Sequence, residues 1–455
     1  MTGAVDVAVV GGGLAGIAAA VRLADSGASV ALLESRPRLG GATYSFERDG
    51  LSVDTGQHVF LRCYTAYLDL LRRLGTADLV EIQDRFEVPV LTPGRAPHLL
   101  RRARFAPAPL HLLPALATYR PLSVAERIGA MRAAAALRFV DPDAPGTDDH
   151  SLGEFFAHHG QSAATVRRLW ELVAVAALNV PPDEASLALA ARVFRTGLLE
   201  SARAGDIGRP RVGLSTLHGD PAARILGPAV RTRAKVRQIA PTPDGFAVST
   251  SDGVVPARAV VLAVPHPAAA ALVPPGAVAD PARWAGLSAT AIVNVHLVYD
   301  RKVTDYGMAA AVDSPVQWVF DRTAESGLSR GQYLAVSLSA ADALVGRPAA
   351  DLIAEQRAAI EELFPAARQA TLTTAFVTRE PHATFRQAPG SRALRPAART
   401  DLLGLALAGA WIDTGWPDTM EGAVRSGDTA ADVVAAHLGH RSSTVDDRAV
   451  RMAAS

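Results

Sequence analysis

The chain has 455 residues, 49% of them hydrophobic, with a net charge of +1 and a single cysteine. This length supplies core for roughly two or three domains, and the balanced charge excludes a strong field for nucleic acid. One cysteine excludes an intramolecular disulfide, disfavours a cysteine-built zinc site and fits a reducing, cytoplasmic compartment.

The first residues, "MTGAVDVAVVGGG", enter an apolar run without a basic leader, so no signal peptide is expected. "VAVVGGGLAGIAAAVRLA" is apolar enough to pass for a membrane span, but its successive glycines and its Arg suit a strand, a turn and a helix. No other stretch approaches the required run of about 18 apolar residues. The expectation is a soluble protein, or one resting on a membrane surface.

Residues 5–10 suit a buried parallel strand, and the next residues place Gly11, Gly13 and Gly16 in a Gly-x-Gly-x-x-Gly turn. A helix follows as far as Gly27. "SVALLE" is then a second buried strand ending in Glu34, about twenty residues after the glycines. Gly11 permits the tight turn, Gly13 lets a pyrophosphate approach the backbone, and Gly16 lets helix and strand pack closely. Glu34 can accept hydrogen bonds from ribose hydroxyls and disfavours a 2′-phosphate, so the ligand is FAD or NAD rather than NADP. Leu14 and Ala15 at the helix start, and Ser35 and Arg36 after the acid, are placed with these cofactor-binding residues.

Past Glu34, "ESRPRLGGATYSF" carries a diglycine, Gly40–Gly41. This acid–basic–diglycine spacing resembles the flavin-binding motif of the amine oxidase, protoporphyrinogen oxidase and phytoene desaturase superfamily. The resemblance implies non-covalent FAD, with the diglycine beside the pyrophosphate. Many members carry Arg next; here it is Ala42, which puts one phosphate contact in doubt.

Residues 88–140 hold eight Arg and one acid, Glu126, among apolar stretches. Two readings stand: a surface lying on an anionic bilayer, or a helical cap with exposed arginines. His158 and His159 are adjacent on a helix, expected to point apart, and make a poor metal pair; no metal site is expected. Residues 211–265 read as a helix, alternating strands with a turn at "PDGF", and a buried strand "AVVLAVP". They resemble the second FAD segment of the superfamily, where the backbone at the Val236 position meets the adenine.

"TAIVNVHLVYD", "VQWVF", "QYLAVSLS" and "ATLTTAFVT" have the alternation of strands in a mixed or antiparallel sheet, and 350–364 is an amphipathic helix. The fold expected is α/β: a Rossmann-type FAD domain in three segments (1–80, 205–265, 400–440), interleaved with an α+β substrate domain (81–204, 266–399). The polar tail 441–455 is expected to fray.

In the third segment, "TGWPDTMEGAVRSG" places Asp418 as an N-cap with Glu421 three residues on, a capping-box pattern. The resemblance implies that this helix start, with Met420, Glu421, Gly422 and Ala423, meets the N1–C2=O edge of the isoalloxazine; Gly422 and Ala423 are read as leaving room for the flat ring. Gly409, in "LAGAW", closes the preceding strand. Ala410 stands where relatives commonly carry an acid, so either Asp413 takes over that contact or the flavin is held less tightly.

"DTGQHVFLRCY", "ATFRQAPGSRALRP" and "TGWPDTMEGAVRSG" together resemble the hydroxysqualene dehydroxylases, over nearly the whole chain. That family replaces an allylic hydroxyl of a long isoprenoid by hydrogen, giving squalene. The chemistry asks for an acid on the leaving oxygen, a dry apolar channel and a hydride from reduced FAD. His58, which titrates near neutrality, and Asp413 are the catalytic candidates. Phe60, Tyr64, Trp411 and Trp416 are the candidates to line the substrate pocket and steady a cation, against plain core packing. Asp54 is read as ordering its own turn, and Cys63 as a small buried residue near the flavin edge.

With one Gly-x-Gly-x-x-Gly there is no second dinucleotide domain, so electrons come from an external donor the sequence does not identify. The partners expected are a long isoprenoid substrate and an anionic membrane surface, with a peripheral position on the inner face as the alternative to a free cytoplasmic one. The rivals are a carotenoid desaturase, which runs the hydride the other way, an amine oxidase, disfavoured by Thr419 where an aromatic is usual, and a non-catalytic flavin- or lipid-binding subunit.

Overall fold

The computed structural model describes residues 4–439, so the tail from 441 lies outside the described residues. The strands run β1 (Val5–Val10), β2 (Val30–Leu33), β3 (Ser45–Arg48), β4 (Leu51–Asp54), β5 (Phe60–Leu61), β6 (Val80–Ile82), β7 (Glu87–Leu91) and β8 (His98–Arg101). After a run of short helices come β9 (Ile207–Pro210), β10 (Val230–Arg231), β11 (Gln238–Thr242), β12 (Gly245–Thr250) and β13 (Gly253–Leu262). The remainder are β14 (Thr290–Tyr299), β15 (Met308–Ala311), β16 (Trp318–Asp321), β17 (Gln332–Leu338), β18 (Leu372–Thr384) and β19 (Leu405–Leu407). The helices that matter below are α1 (Leu14–Asp25), α2 (Thr65–Leu74), α3 (Leu113–Ala117), α4 (Val124–Leu137), α5 (Ala349–Leu363) and α6 (Met420–Leu438).

Among the described residues two seven-stranded sheets dominate. In the first, of order β10-β2-β1-β13-β12-β11, one edge of β13 pairs β12 antiparallel along its first half and β19 parallel along its second. The central strands are apolar on both faces because both faces are covered. Val7, Val9, Leu32 and Val261 pack into the core shared with α1 and α6, while Ala8, Val10, Leu33 and Leu262 enter the core on the opposite side. Helices α1 and α6 approach closely, since a Cβ on Gly427 would strike the carbonyl of Ala15.

The second sheet has the order β18-β14-β17-β16-β15-β7-β8 and is antiparallel except for β15 against β7. Leu352 and Ile360 of α5 seal one face against Val293, Val295 and Leu297. Three of its strands, β7, β8 and β15, escape the sequence pattern. β15 is "MAAA", rich in a helix former, and β7 carries Pro89; tertiary pairing overrides both local preferences. The basic stretch 88–140 therefore opens as two sheet strands. Among the described residues no helix is long and apolar enough to cross a membrane.

Candidate active site

The parallel strands pair Val10 with both Leu33 and Leu262, and Leu262 with Leu407. Their carboxyl ends therefore finish on one line, the place where open α/β sheets bind ligands. Gly11 leaves β1 at φ +105°, and a Cβ there would strike the carbonyl of Ala263. Gly41, at φ +58°, would put a Cβ 2.8 Å from the Cα of Gly13, and the N–H of Gly40 donates to the carbonyl of Gly12 at 2.8 Å. The glycine turn and the diglycine thus confront each other backbone to backbone. Helix α1 begins at Leu14 with neither a side-chain cap nor an acid in its first turn, which leaves donors for an anion.

Glu34 is 7% exposed; its Oε2 accepts from the N–H of Gly12 at 2.7 Å and its Oε1 from that of Arg36 at 2.6 Å. The Ser35 hydroxyl also donates to Oε1 at 3.0 Å. The N–H groups of Arg233 and Ala234 donate to the carbonyls of Arg36 and Glu34, which brings the buried Val236 segment beside this acid. Ala42 is exposed and offers no charge. Arg38, two residues before the diglycine, stacks its guanidinium 3.0 Å above the centre of the Tyr44 ring and keeps a buried Nη1 without a partner. That orphaned donor fits a phosphate oxygen, and the sequence offered it only as the basic residue between acid and diglycine.

Helix α6 runs in the direction of α1, with Gly427 on Ala15 and Asp432 2.7 Å from Arg22. Its start consequently reaches about 10 Å beyond that of α1, at 1.5 Å per residue. Gly409 is tied back to α6 by its N–H, which donates to the Ser426 hydroxyl at 2.8 Å. The expected capping box is not formed. Thr419 is the cap, its hydroxyl accepting from the N–H of Gly422 at 3.2 Å. Asp418 instead accepts from the N–H of Phe385 at 2.9 Å. Glu421 is fully buried and accepts from the N–H groups of Ala66 and Tyr67 at 3.1 and 2.8 Å, closing the start of α2. A Cβ on Gly422 would lie 2.6 Å from the carbonyl of Pro417, so its missing side chain makes room for the chain's own turn rather than for a flat ring. The N–H groups of Met420 and Glu421, in the first turn, remain for a ligand or solvent. Met420 itself is buried, and Ala423 is half-buried beside it.

The loop between β19 and α6 is held by a residue the sequence did not single out. Arg395 is 6% exposed, and its Nη2 donates to the carbonyls of Ala410, Ile412 and Trp416 at 3.1, 2.5 and 2.8 Å. Its Nε donates to the carbonyl of Trp411 at 3.3 Å. Asp413, proposed from sequence as catalytic, is otherwise engaged. It accepts from the N–H of Gly415 at 3.0 Å and faces Arg392 at 3.4 Å.

His58 follows β4 and places Nδ1 3.1 Å from the carbonyl of Gly56. Burial pulls its pKa below the ordinary histidine value, so the imidazole is neutral. Asp54 joins three segments, accepting from Ser45 at 2.6 Å, the N–H of Leu214 at 3.0 Å and Arg322 at 2.5 Å. His158 and His159 do not point apart; their ring centres lie 5.2 Å from each other, edge to face. Of the four aromatic candidates, two are core. Phe60 is 1% exposed against Tyr67, and Trp411 donates to the carbonyl of Val264 at 3.0 Å while packing on Trp284. Tyr64 and Trp416 form an edge-to-face pair 5.8 Å apart near the start of α6. Cys63, beside them in sequence, has its thiol pushed up to about 12 by burial and by Glu421. Burial instead raises Asp418, to about 6.

Residues 14–435 match the family described as flavin containing amine oxidoreductase. A hydroxysqualene dehydroxylase of Rhodopseudomonas palustris is 33% identical over 94% of this chain and 98% of its own. A zeta-carotene desaturase of Zea mays is 26% identical, over 92% of this chain and 82% of its own. Among solved structures, a putrescine oxidase bound to putrescine superposes with a TM-score of 0.71 at 22% identity, covering 95% of this chain and 99% of that one. This last likeness speaks for the fold.

Proposed function

Since the chain belongs to the flavin containing amine oxidoreductase family and, within it, with the hydroxysqualene dehydroxylases, we propose that it replaces the hydroxyl of hydroxysqualene by hydrogen. It is a flavin-dependent oxidoreductase. The flavin is read as FAD, because Glu34 and the glycine cradle suit an adenosine and a pyrophosphate, and as non-covalent, because the one cysteine is half-buried with its thiol pushed up to about 12. The observation that carries the reading is the alignment of a glycine cradle, an unpartnered Arg38 and an open helix start along one edge, in a chain that matches a dehydroxylase end to end.

Bound and reduced, the flavin supplies a hydride; the rest falls to this chain. A proton and a hydride convert the alcohol to a hydrocarbon and water, so the leaving oxygen needs an acid. Asp418 is that acid in this reading. Its Oδ2 is held by the N–H of Phe385, its Oδ1 has no partner among the described residues, and burial lifts its pKa to about 6, which leaves roughly a tenth of it protonated at pH 7 against about a thousandth for an ordinary Asp. The ring of Trp416 is covered by the Arg425 guanidinium 4.9 Å from its centre, which leaves Tyr64, packed edge to face with it, as the aromatic that could steady a positive carbon, by about 0.5–2 kcal/mol. The first turn of α6 favours negative charge on whatever edge rests against it.

Photoreduced protein mixed anaerobically with hydroxysqualene should return to the oxidised spectrum and yield squalene, one molecule per flavin. The second reading, a carotenoid desaturase, is favoured by the zeta-carotene desaturase similarity. It requires the oxidised protein to be bleached by a carotene while the reduced protein ignores the alcohol, and that pair of results would replace the proposal.

A further inference from the structure

Eleven large apolar side chains are exposed among the described residues, and seven of them lie between Leu99 and Phe139. Phe105 is 92% exposed, Phe139 81%, Val124 67% and Leu110 52%. They come from neighbouring elements, since α3 packs against both α4 and β8. Scattered exposed apolar residues are ordinary; such a concentration on one surface marks a place of interaction.

Helix α4 shows how the surface is built. Ala130, Ala133 and Leu137 are buried and lie on one side. At about 100° per residue, Val124, Ile128, Arg132 and Ala135 fall within one stripe on the opposite side, and exposed Phe139 follows two residues past the helix end. The outward stripe is therefore as apolar as the inward one, with an arginine inside it. Arg120 and Arg132 are exposed and form no ion pair among the described residues, and Arg127 donates only to the carbonyls of Leu122 and Ala117. The single acid of the stretch, Glu126, is spent on the N–H of Ser123 and the hydroxyl of Ser162. An apolar face edged by unpaired guanidinium groups fits one partner chemistry: acyl chains beneath anionic headgroups.

We propose that this surface, carried by α3, α4 and the loop after β8, seats the protein on an anionic phospholipid bilayer. The seat is independent of the reaction proposed above, and its test uses no substrate.

The flavin-loaded full chain is sedimented with vesicles of phosphatidylcholine, with or without phosphatidylglycerol. The parent should co-sediment with the anionic vesicles and much less with the neutral ones. Val124→Asp with Ile128→Asp and Phe139→Asp should lower the bound fraction at least tenfold on anionic vesicles. Arg120→Ala with Arg132→Ala should lose about fivefold per arginine on anionic vesicles and little on neutral ones. All these residues except half-buried neighbours stand in solvent, so unchanged melting and flavin absorbance certify the fold. Val254→Asp with Leu403→Asp, exposed elsewhere, should bind as the parent does. Equal binding by the apolar triple variant and the parent overturns the proposal. So does an equal loss in the control pair, or a concentration-dependent dimer that the triple variant abolishes.

Discussion

Arg395 is the most consequential single side chain at the start of α6. Its guanidinium lies 6% exposed inside the β19–α6 loop and donates to the four carbonyls of Ala410, Trp411, Ile412 and Trp416. Hydrogen bonds to a charged group are worth about 1.5–3 kcal/mol each, but they share one donor group and cannot be summed. Arg395→Ala removes the donor, leaves the carbonyls facing one another and opens a cavity below Phe385, whose ring the guanidinium also covers at 5.1 Å. Breaking a buried charged network of this kind costs about 3–5 kcal/mol. For a chain of 455 residues this is about 1 °C per kcal/mol, so melting should fall by about 3–5 °C. Arg395→Lys keeps the charge but collapses the fork to a point, so it should recover only part of the loss. The assay is thermal denaturation of flavin-loaded and flavin-stripped protein, followed by flavin titration of the stripped form. Because the loop sets where α6 begins, both variants should also bind flavin more weakly. An alanine variant that melts within about 1 °C of the parent and binds flavin equally well would refute the staple.

Three further outcomes follow from the same geometry. Gly422→Ala puts a Cβ 2.6 Å from the carbonyl of Pro417, so it should cost about 1–3 kcal/mol and lower flavin content measured by absorbance per protein. His296 is fully buried between Tyr333 and Thr378 with its pKa pulled to about 3, so the unfolded chain takes up a proton below pH 6.5 that the folded one refuses. Its stability contribution is therefore present above 6.5 and lost as the pH falls, and the margin of parent over His296→Gln in urea melts should shrink by about 1.4 kcal/mol per pH unit; parallel melts would count against it. Asp418, raised to about 6, should make squalene formation fall as pH rises through that value, and Asp418→Asn should remove this limb with most of the rate while flavin content stays intact.

What the sequence made legible was local and steric. A buried strand, a glycine turn and a helix are fixed by close backbone approach within thirty residues, and the contacts of Gly16 with Gly11 and of Gly41 with Gly13 bear this out. Errors began where a choice between neighbours is made by distant chain. Asp418 and Thr419 are both good caps, and Thr419 takes the role because the N–H of Phe385, from another segment, claims Asp418. Glu421 fits a capping box by spacing, yet the unpaired start of α2 offers it two N–H groups. Trp411 and Phe60 sit in motifs with an aromatic look of function, but their surroundings are core. Arg395 carries no local signature, since what defines it is a set of carbonyls assembled from elsewhere, and Arg38 shows in the sequence only as a basic residue before the diglycine.

The same reasoning moves the proton source from a histidine to a carboxylic acid. On titration range alone His58 is the natural acid near neutrality. Burial, however, penalises whichever form is charged: it lowers an imidazolium and raises a carboxylate. Enclosure lowers His58 and also takes His218 to about 3, so these imidazoles are neutral and hold no proton to give. It takes Asp418 to about 6, which raises its protonated fraction at pH 7 to about a tenth. A reaction that expels water from an allylic alcohol needs a dry site, and a dry site is where histidine stops being an acid and aspartic acid remains one. In the proposed reading the requirement for dryness and the identity of the proton donor are therefore one condition, and Asp418, held between the start of α6 and the strand end at Phe385, is the carboxyl that would meet it.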